Sequence, residues 1–410
     1  MNDSISVGID ALAFSGPAAF VELADLARAR GVDPAKYTHG LGQLRMAIAS
    51  PCEDTVTMAV EAGAQALKAF DVDPAEIGTL IVGTETGVDH SKPVAVYAHD
   101  LLGLDERCRT FETKHACYGA MAGLTASMDW IASGRARGRK ALVIASDIAS
   151  YGLGTPGEPT QGAGAVAMVV SDQPRLLHIQ PRTIGDYTRQ VMDFWRPLYS
   201  KHALADGHYS IQCYLDALKG ARLDAVGEES ELLNSLSACL YHVPFVKMAF
   251  KAHQREVEME RGHAISKAEA AHWQQLTESY DKLCAPWLTL NAEVGNIYTG
   301  SLFLSLIDLL RRAGETLVDK DISLFSYGSG CGATYCLGRI SEAAGSWQSV
   351  LDPEPALTRR RRLTITEYED LVRASELADR TETLDPTDFG LSGGLYYTGT
   401  RNDRRHYERG

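Results

Sequence analysis

No stretch of this chain reaches the eighteen or so apolar residues that a membrane-spanning helix needs. The strongest contender, Ile297 to Leu310, is interrupted by Asp308. The opening residues, Met1-Asn2-Asp3-Ser4-Ile5-Ser6-Val7-Gly8-Ile9-Asp10, have neither the basic segment nor the apolar core of a secretory signal. Positive charge is short: 40 Lys and Arg face 53 Asp and Glu, and the formal charge of -13 argues against general binding to nucleic acid or anionic membranes. Closely spaced cysteines are missing as well. The eight present, at 52, 108, 117, 213, 239, 284, 331 and 336, show no zinc or redox pairing. A chain of 410 residues can bury a core that needs no disulfide staples, so the expectation is a reducing, cytoplasmic setting with most cysteines as packing residues. Apolar residues at 45% and charged ones at 23% exclude disorder and fibrous classes.

What is present is an alternation of strand and helix patterns, which predicts an α/β fold with strands covered on both faces. Thr79 to Gly83 reads as a strand, Pro93 to Leu102 as a helix, Cys117 to Ser133 as a buried helix and Ala141 to Ala145 as a strand. A second series repeats the order: a strand ending at Leu240-Tyr241-His242, a helical segment after Pro244, a buried helix from about Gly295 to Leu310, and a strand from Ile322 to Tyr327. Two facing copies of one unit would bring corresponding loops together. Glu85 then matches His242, Cys117 matches Asn296, and the four converge between the halves. Residues 253–283 are rich in charge and helix formers and read as a surface helical excursion. The Arg359 to Arg362 run reads as solvated, with contact to an anionic group as the alternative. The Gly328-Ser329-Gly330-Cys331-Gly332 stretch lacks the strand-turn-helix context of a dinucleotide loop and reads as a tight turn into a returning strand.

Cys117 is the most informative residue, because a small-residue helix begins directly behind it. Ala120, Leu124, Met128 and Ile131 fall on one face at helical spacing. Free backbone N–H groups and the helix dipole at that end favour a thiolate, so the thiol is expected to ionise readily.

Eight collinear segments together make the chain similar to hydroxymethylglutaryl-CoA synthases of the thiolase superfamily. They are Gly40-Leu41-Gly42-Gln43, Thr84 to Asp89, Ala116-Cys117-Tyr118-Gly119, Gly157 to Ala165, Asp193-Phe194-Trp195-Arg196-Pro197, His242-Val243-Pro244-Phe245, Val294 to Gly300, and Phe325 to Gly330. The resemblance implies a thiolase-like, five-layered αβαβα fold of two similar halves. Residues 1–175 would carry Glu85 and Cys117; residues 176–410 would carry His242 and Asn296 together with the excursion near 253–283. It implies an acyltransferase in which Cys117 takes an acetyl group from a thioester, dividing carbon–carbon bond formation into separate steps. Glu85 would remove a methyl proton, which requires a raised pKa. The resulting enolate would attack the β-ketone of a second thioester, held by His242, with His242 or protonated Glu85 as proton donor. Backbone N–H groups at Cys117 and near Ser329 would form the oxyanion hole. Asn296, Asp147, Tyr151 and Asp193 match residues lining the site. No metal or redox cofactor is implied, and a homodimer is.

Two branches share this chemistry. One condenses acetyl-CoA with acetoacetyl-CoA for the mevalonate pathway and isoprenoid synthesis; the other performs β-branching on an acyl carrier protein in polyketide synthesis. Lys247 and Lys251 favour the CoA branch, since either would meet pantetheine or phosphate oxygens. Pro51-Cys52-Glu53-Asp54, Ser329-Gly330-Cys331 and Gly87 point toward the carrier-protein branch. A β-ketoacyl synthase III type of enzyme is a further alternative, and Glu85 is the residue that separates it from the synthase reading.

Overall fold

The computed structural model describes residues 6–200, 202–228 and 231–410. The strands that position the site are β1 (Val7–Ser15), β2 (Ile77–Gly83), β3 (Arg109–Thr113), β4 (Lys140–Ala149), β5 (Gly162–Ser171), β6 (Leu177–Ile179), β7 (Gly185–Thr188), β8 (Phe194–Trp195), β9 (Leu204–Ala205), β10 (Ala238–Tyr241), β11 (Asp321–Gly328) and β12 (Gly332–Ile340). The helices are α1 (Thr55–Ala69), α2 (Val94–Leu101), α3 (Gly119–Ala132), α4 (Gly207–Val226), α5 (Lys247–Arg261), α6 (Ala270–Leu283) and α7 (Ser301–Ala313).

The large sheet runs in the order β10-β11-β12-β6-β1-β5-β4-β2-β3, with β7 paired to β12. Every residue of β5 is buried, as a strand covered on both faces must be. The two covers can be read from side-chain alternation on β4. A Cβ added to Gly63 of α1 would meet Ile144, and one added to Gly123 of α3 would meet Val143. Adjacent strand residues point to opposite faces, so α1 and α3 lie on opposite sides of the sheet.

The repeat expected from the sequence is visible in strand direction. In the first block β2 runs parallel to β4, and β4 antiparallel to β5. In the second, β10 runs parallel to β11, and β11 antiparallel to β12. Helix α3 lies in the chain between the first parallel pair and α7 between the second. The blocks are joined edge to edge through β6, where Ile179 pairs with Val7 on one side and Gly338 on the other. The glycine-rich turn after β11 leads into β12 as a hairpin, as its sequence suggests.

Buried Asp308 in α7 explains the break in the apolar run. Its Oδ2 accepts from the Thr289 amide at 2.7 Å and the Thr289 hydroxyl at 2.6 Å, and Arg311 pairs with its other oxygen at 2.9 Å. No described helix is long and apolar enough to cross a membrane.

The expected surface excursion at 253–283 needs correction. It forms the α5–α6 pair, whose inner face buries Ala252, His253, Glu256, Leu276 and Tyr280. Glu256 can be buried because Tyr241 donates to it and Arg222 lies 3.3 Å from it, while His253 is held by Ser279 at 2.8 Å. Charge in the sequence marked the outer face only. Three of the four arginines of the run are engaged within the chain: Arg361 pairs with Glu367 at 2.8 Å, Arg362 with Asp25, and Arg360 donates to the Glu293 carbonyl at 3.2 Å.

Candidate active site

Glu85 lies in the loop that leaves β2, and its backbone is fixed from beneath by Asp147 of β4. Asp147 Oδ1 accepts from the Thr84 hydroxyl at 2.8 Å, the Glu85 amide at 2.9 Å, the Thr86 amide at 3.1 Å and the Thr86 hydroxyl at 3.0 Å. Its Oδ2 accepts from the Thr299 amide at 3.4 Å, tying the same carboxylate to the opposite half. Asp147 thus faces inward, toward the loops it clamps. Its own carboxyl is raised to about 6 by burial.

The Glu85 side chain is 7% exposed and stands between a thiol and a cation. Cys117 Sγ donates to Oε1 at 3.6 Å. Arg196, just after β8, donates to the Glu85 carbonyl and lies 3.3 Å from Oε2. Burial first, and the negative charge of Asp147 second, push the Glu85 carboxyl up to about 8; Arg196 and the Cys117 hydrogen bond oppose them. The raised carboxyl is what a general base at this position would require.

Cys117 opens α3 from a strained approach, with Ala116 at φ +41°. The expectation that this thiol ionises readily is not met. Burial first, then Glu85 and Asp147, hold it well above the usual cysteine range. A helix terminus supplies about 0.3–1 kcal/mol, whereas full burial shifts a group by up to several pKa units at about 1.4 kcal/mol each. Desolvation wins, and the sulfur rests as a thiol aimed at the carboxylate. Tyr151, Phe194 and Tyr298 wall it in, with ring centroids 6.1 to 6.4 Å apart in edge-to-face contact.

The second half supplies His242, directly after β10. Its amide donates to the Phe325 carbonyl at 2.8 Å, which continues the β10–β11 pairing and sets His242 beside Ser326. Two residues further along β11, a Cβ on Gly328 would lie 2.5 Å from the His115 carbonyl and 2.8 Å from the Tyr118 amide. His242 thus stands beside the strand whose end meets the Cys117 loop. Burial lowers the imidazole to about 3, so it is neutral, and its Nδ1 has no hydrogen-bond partner among the described residues.

Asn296 reaches the same place. Its Oδ1 accepts from the Tyr298 amide at 2.9 Å and the Ser301 hydroxyl at 3.1 Å, shaping the turn before α7. The α-helix is thus shorter than its sequence suggested: Gly295 at φ +88° and Tyr298 at φ +45° delay it to Ser301, with a 3-10 turn over Tyr298–Gly300 before it. Thr299 closes the join, accepting from the Ala120 amide at 2.7 Å.

Asp193 is fully buried and braces the turn near Ser329. Tyr327 donates to it at 2.6 Å, the Gly330 amide at 2.9 Å and Ser210 at 3.3 Å. The Gly330 amide is thereby taken, and the Cys331 amide donates to the Arg189 carbonyl at 2.7 Å. Ser329 is the turn's remaining candidate for an oxyanion donor beside Cys117. Lys247 and Lys251 are exposed, one turn apart at the start of α5. Behind β10, Cys239, His253 and Glu256 form the group among the described residues whose donor atoms, all within 4.8 Å of one another, are close enough to hold a metal ion. Tyr241 lies at hydrogen-bonding distance from both His253 and Glu256, and the Arg222 cation lies against Glu256. That is a donor set already engaged within the protein.

The family models described as Hydroxymethylglutaryl-coenzyme A synthase N terminal and C terminal match residues 4–174 and residues 177–257 and 252–409. The chain belongs to the hydroxymethylglutaryl-CoA synthase family. Among solved structures it is similar to MvaS in complex with 3-hydroxy-3-methylglutaryl coenzyme A, at 46% identity and a TM-score of 0.91 over 99% of both chains. The hydroxymethylglutaryl-CoA synthase of Enterococcus faecalis is 36% identical over 93% of this chain and 95% of its own. The polyketide biosynthesis 3-hydroxy-3-methylglutaryl-ACP synthase PksG of Bacillus subtilis is 33% identical over 90% of this chain and 89% of its own. Both branches named by the sequence are thus represented, and the thiolase-like α/β fold and acyl-transferring class follow from family membership.

Within this synthase site, sequence reasoning assigned no role to Arg196, Phe194 or Tyr298, although each stood in a diagnostic segment. The available signal was a cation following two aromatic residues in Asp193-Phe194-Trp195-Arg196-Pro197. Its target, Glu85, is reached only through the fold.

Proposed function

We propose that this chain condenses an acetyl group held on Cys117 with the β-ketone of acetoacetyl-CoA and hydrolyses the product to 3-hydroxy-3-methylglutaryl-CoA. The observation that carries the reading is the Cys117 thiol hydrogen-bonded to a buried, high-pKa Glu85. In the first step the sulfur attacks the acetyl thioester, the carrier thiol leaves, and the cysteine proton ends on it. Glu85, as carboxylate, then takes a proton from the acetyl methyl. The enolate carbon attacks the ketone carbon, and the ketone oxygen becomes an alkoxide. His242 is neutral at ordinary pH, so it donates a hydrogen bond to that oxygen, and protonated Glu85 returns the proton. Water finally cleaves the acyl–sulfur bond, leaving a free carboxylate on the product and a thiol on Cys117. No electron leaves the substrates, so the sequence as written calls for no redox group.

We assign Asp147 and Asp193 to holding the loops, Tyr151 and Asn296 to shaping the acyl pocket, and Ser329 and Cys117 to the oxyanion. The similarity at 46% identity to a synthase solved with 3-hydroxy-3-methylglutaryl coenzyme A, against 32% for one solved with its donor carrier protein, supports CoA as carrier, with Lys247 and Lys251 available to its phosphates. Eight free cysteines suit a reducing cytosol. We also read residues 1–175 and 176–410 as the two halves and the working unit as a homodimer.

Intact-protein mass spectrometry tests the reading. Mixing with acetyl-CoA is expected to acetylate Cys117, and acetoacetyl-CoA is expected to discharge the adduct as 3-hydroxy-3-methylglutaryl-CoA. Acetylation only by an acetyl-loaded carrier protein would move the assignment to the polyketide branch. Condensation that survives Glu85→Ala would defeat the assigned mechanism.

A further inference from the structure

We propose that Arg196 is a positioning residue for the base: reaching in from the β8–β9 hairpin, it eases ionisation of Glu85 and keeps the carboxylate turned toward the sulfur that carries the acetyl group. The inference rests on the reading of Glu85 as the base.

The geometry divides the carboxylate between two partners. Oε2 lies 3.3 Å from the Arg196 guanidinium, which also holds the Glu85 carbonyl, while Oε1 faces Cys117 Sγ at 3.6 Å. Rotation of the carboxylate away from the sulfur would break the Arg196 contact. The Arg196 side chain is 17% exposed, so water screens this pair little.

The charges around Glu85 make the pairing consequential. Asp147 faces it from β4, Cys117 from the start of α3, Tyr151 from the loop after β4, and Tyr298 from the turn before α7. Each of these is neutral or negative. Arg196 is the cation among the named neighbours, and it opposes both burial and Asp147. Without it the carboxyl would hold its proton more tightly and fewer molecules would be able to deprotonate the acetyl methyl. The same cation favours the later step, because protonated Glu85 gives its proton to the alkoxide more readily when the carboxylate left behind is paired.

The hairpin that carries Arg196 is fixed from both halves. Its foot, Asp193, is braced by Tyr327 of β11, and the Asp206 amide closes the far side onto the Asp193 carbonyl at 3.0 Å. Phe194 packs against Tyr151 from the first half and Tyr298 from the second. Arg196 therefore arrives in register with the base only when the halves and the hairpin are seated together.

The test isolates proton abstraction. Wild type, Arg196→Met and Arg196→Lys are acetylated with acetyl-CoA deuterated at the methyl, and loss of deuterium from the acetyl-enzyme to water is followed by intact mass from neutral to alkaline pH. The wild-type rate is expected to rise through about 8. Arg196→Met is expected to rise at higher pH, with exchange at neutral pH slowed about tenfold for each unit of displacement and recovered in alkali. Arg196→Lys is expected to lie between, since lysine restores the charge without the planar fork. A midpoint that does not move, or a uniform loss at every pH, overturns the inference while leaving the acetyl-enzyme reading intact. Wild type that takes no acetyl group overturns that parent reading and this one with it.

Discussion

Glu85 and Cys117 are each held above their usual pKa by burial; the Glu85 charge opposes ionisation of Cys117, while the Cys117 hydrogen bond eases ionisation of Glu85. Such a site costs stability in proportion to its usefulness. The Glu85 carboxyl binds its proton near 8 in the folded chain against about 4.5 when solvated. Between those values the native state holds more protons than the unfolded state, so this residue's contribution to stability is fully present below about 4.5 and is lost as pH rises through 8. Glu85→Gln keeps the shape and removes the titration. It is expected to be more stable than wild type by a few kcal/mol above pH 8, to lose that advantage toward pH 5, and to abolish condensation. Thermal melts of both proteins across that range check it. An advantage independent of pH would mean that Glu85 does not titrate as its surroundings require.

Besides the strand join through β6, the two halves touch at the turn before α7, where Gly295 bridges to Gly162. Gly295 adopts φ +88°, and a Cβ there would lie 2.1 Å from the Gln161 carbonyl, where β5 begins. Gly295→Ala therefore combines a left-handed backbone with a steric clash against immovable backbone. It is expected to destabilise the protein by at least about 2–3 kcal/mol and to cut condensation further by displacing Asn296 and Tyr298; urea denaturation and turnover of the surviving folded fraction measure the two effects. This turn also shows where sequence reasoning stops. The alternation of strand and helix and the corresponding chain positions of Glu85 and His242, and of Cys117 and Asn296, were legible, because apolar periodicity and loop position repeat in the two series. The six residues from Gly295 to Gly300 were not, because the local pattern reads as helix while tertiary contacts to Gln161, Asp147 and Ala120 impose the turn. The readiness of Cys117 to ionise was misjudged for a related reason: helix position is local, and burial is not. Arg196 was overlooked because its partner lies far away in the chain and only the fold closes that distance.

At the scale of the whole molecule, the open question is what covers the sheet edge. Strand β3 pairs with β2 on one side and with no described strand on the other. The Arg109 carbonyl accepts from the Thr79 hydroxyl at 2.8 Å and the Thr113 carbonyl from the Thr84 amide at 3.1 Å, so those residues turn their backbone groups toward β2. Alternation then sends the backbone groups of Thr110 and Glu112 outward. A free edge of this kind invites pairing, and a second copy of the chain meeting it across a two-fold axis would satisfy those groups in an isologous interface. Proline at 110 removes an outward N–H without touching the ladder to β2, which is the setting in which strands tolerate it. Wild type is expected to run in light scattering at twice the 44.5 kDa of one chain, and Thr110→Pro at the mass of one chain with unchanged circular dichroism. Cys117 follows β3 by four residues, so freeing the edge also loosens the loop that aims the sulfur, and the monomeric variant is expected to acetylate more slowly. A variant that remains dimeric would place the interface elsewhere and detach the Cys117 loop from it.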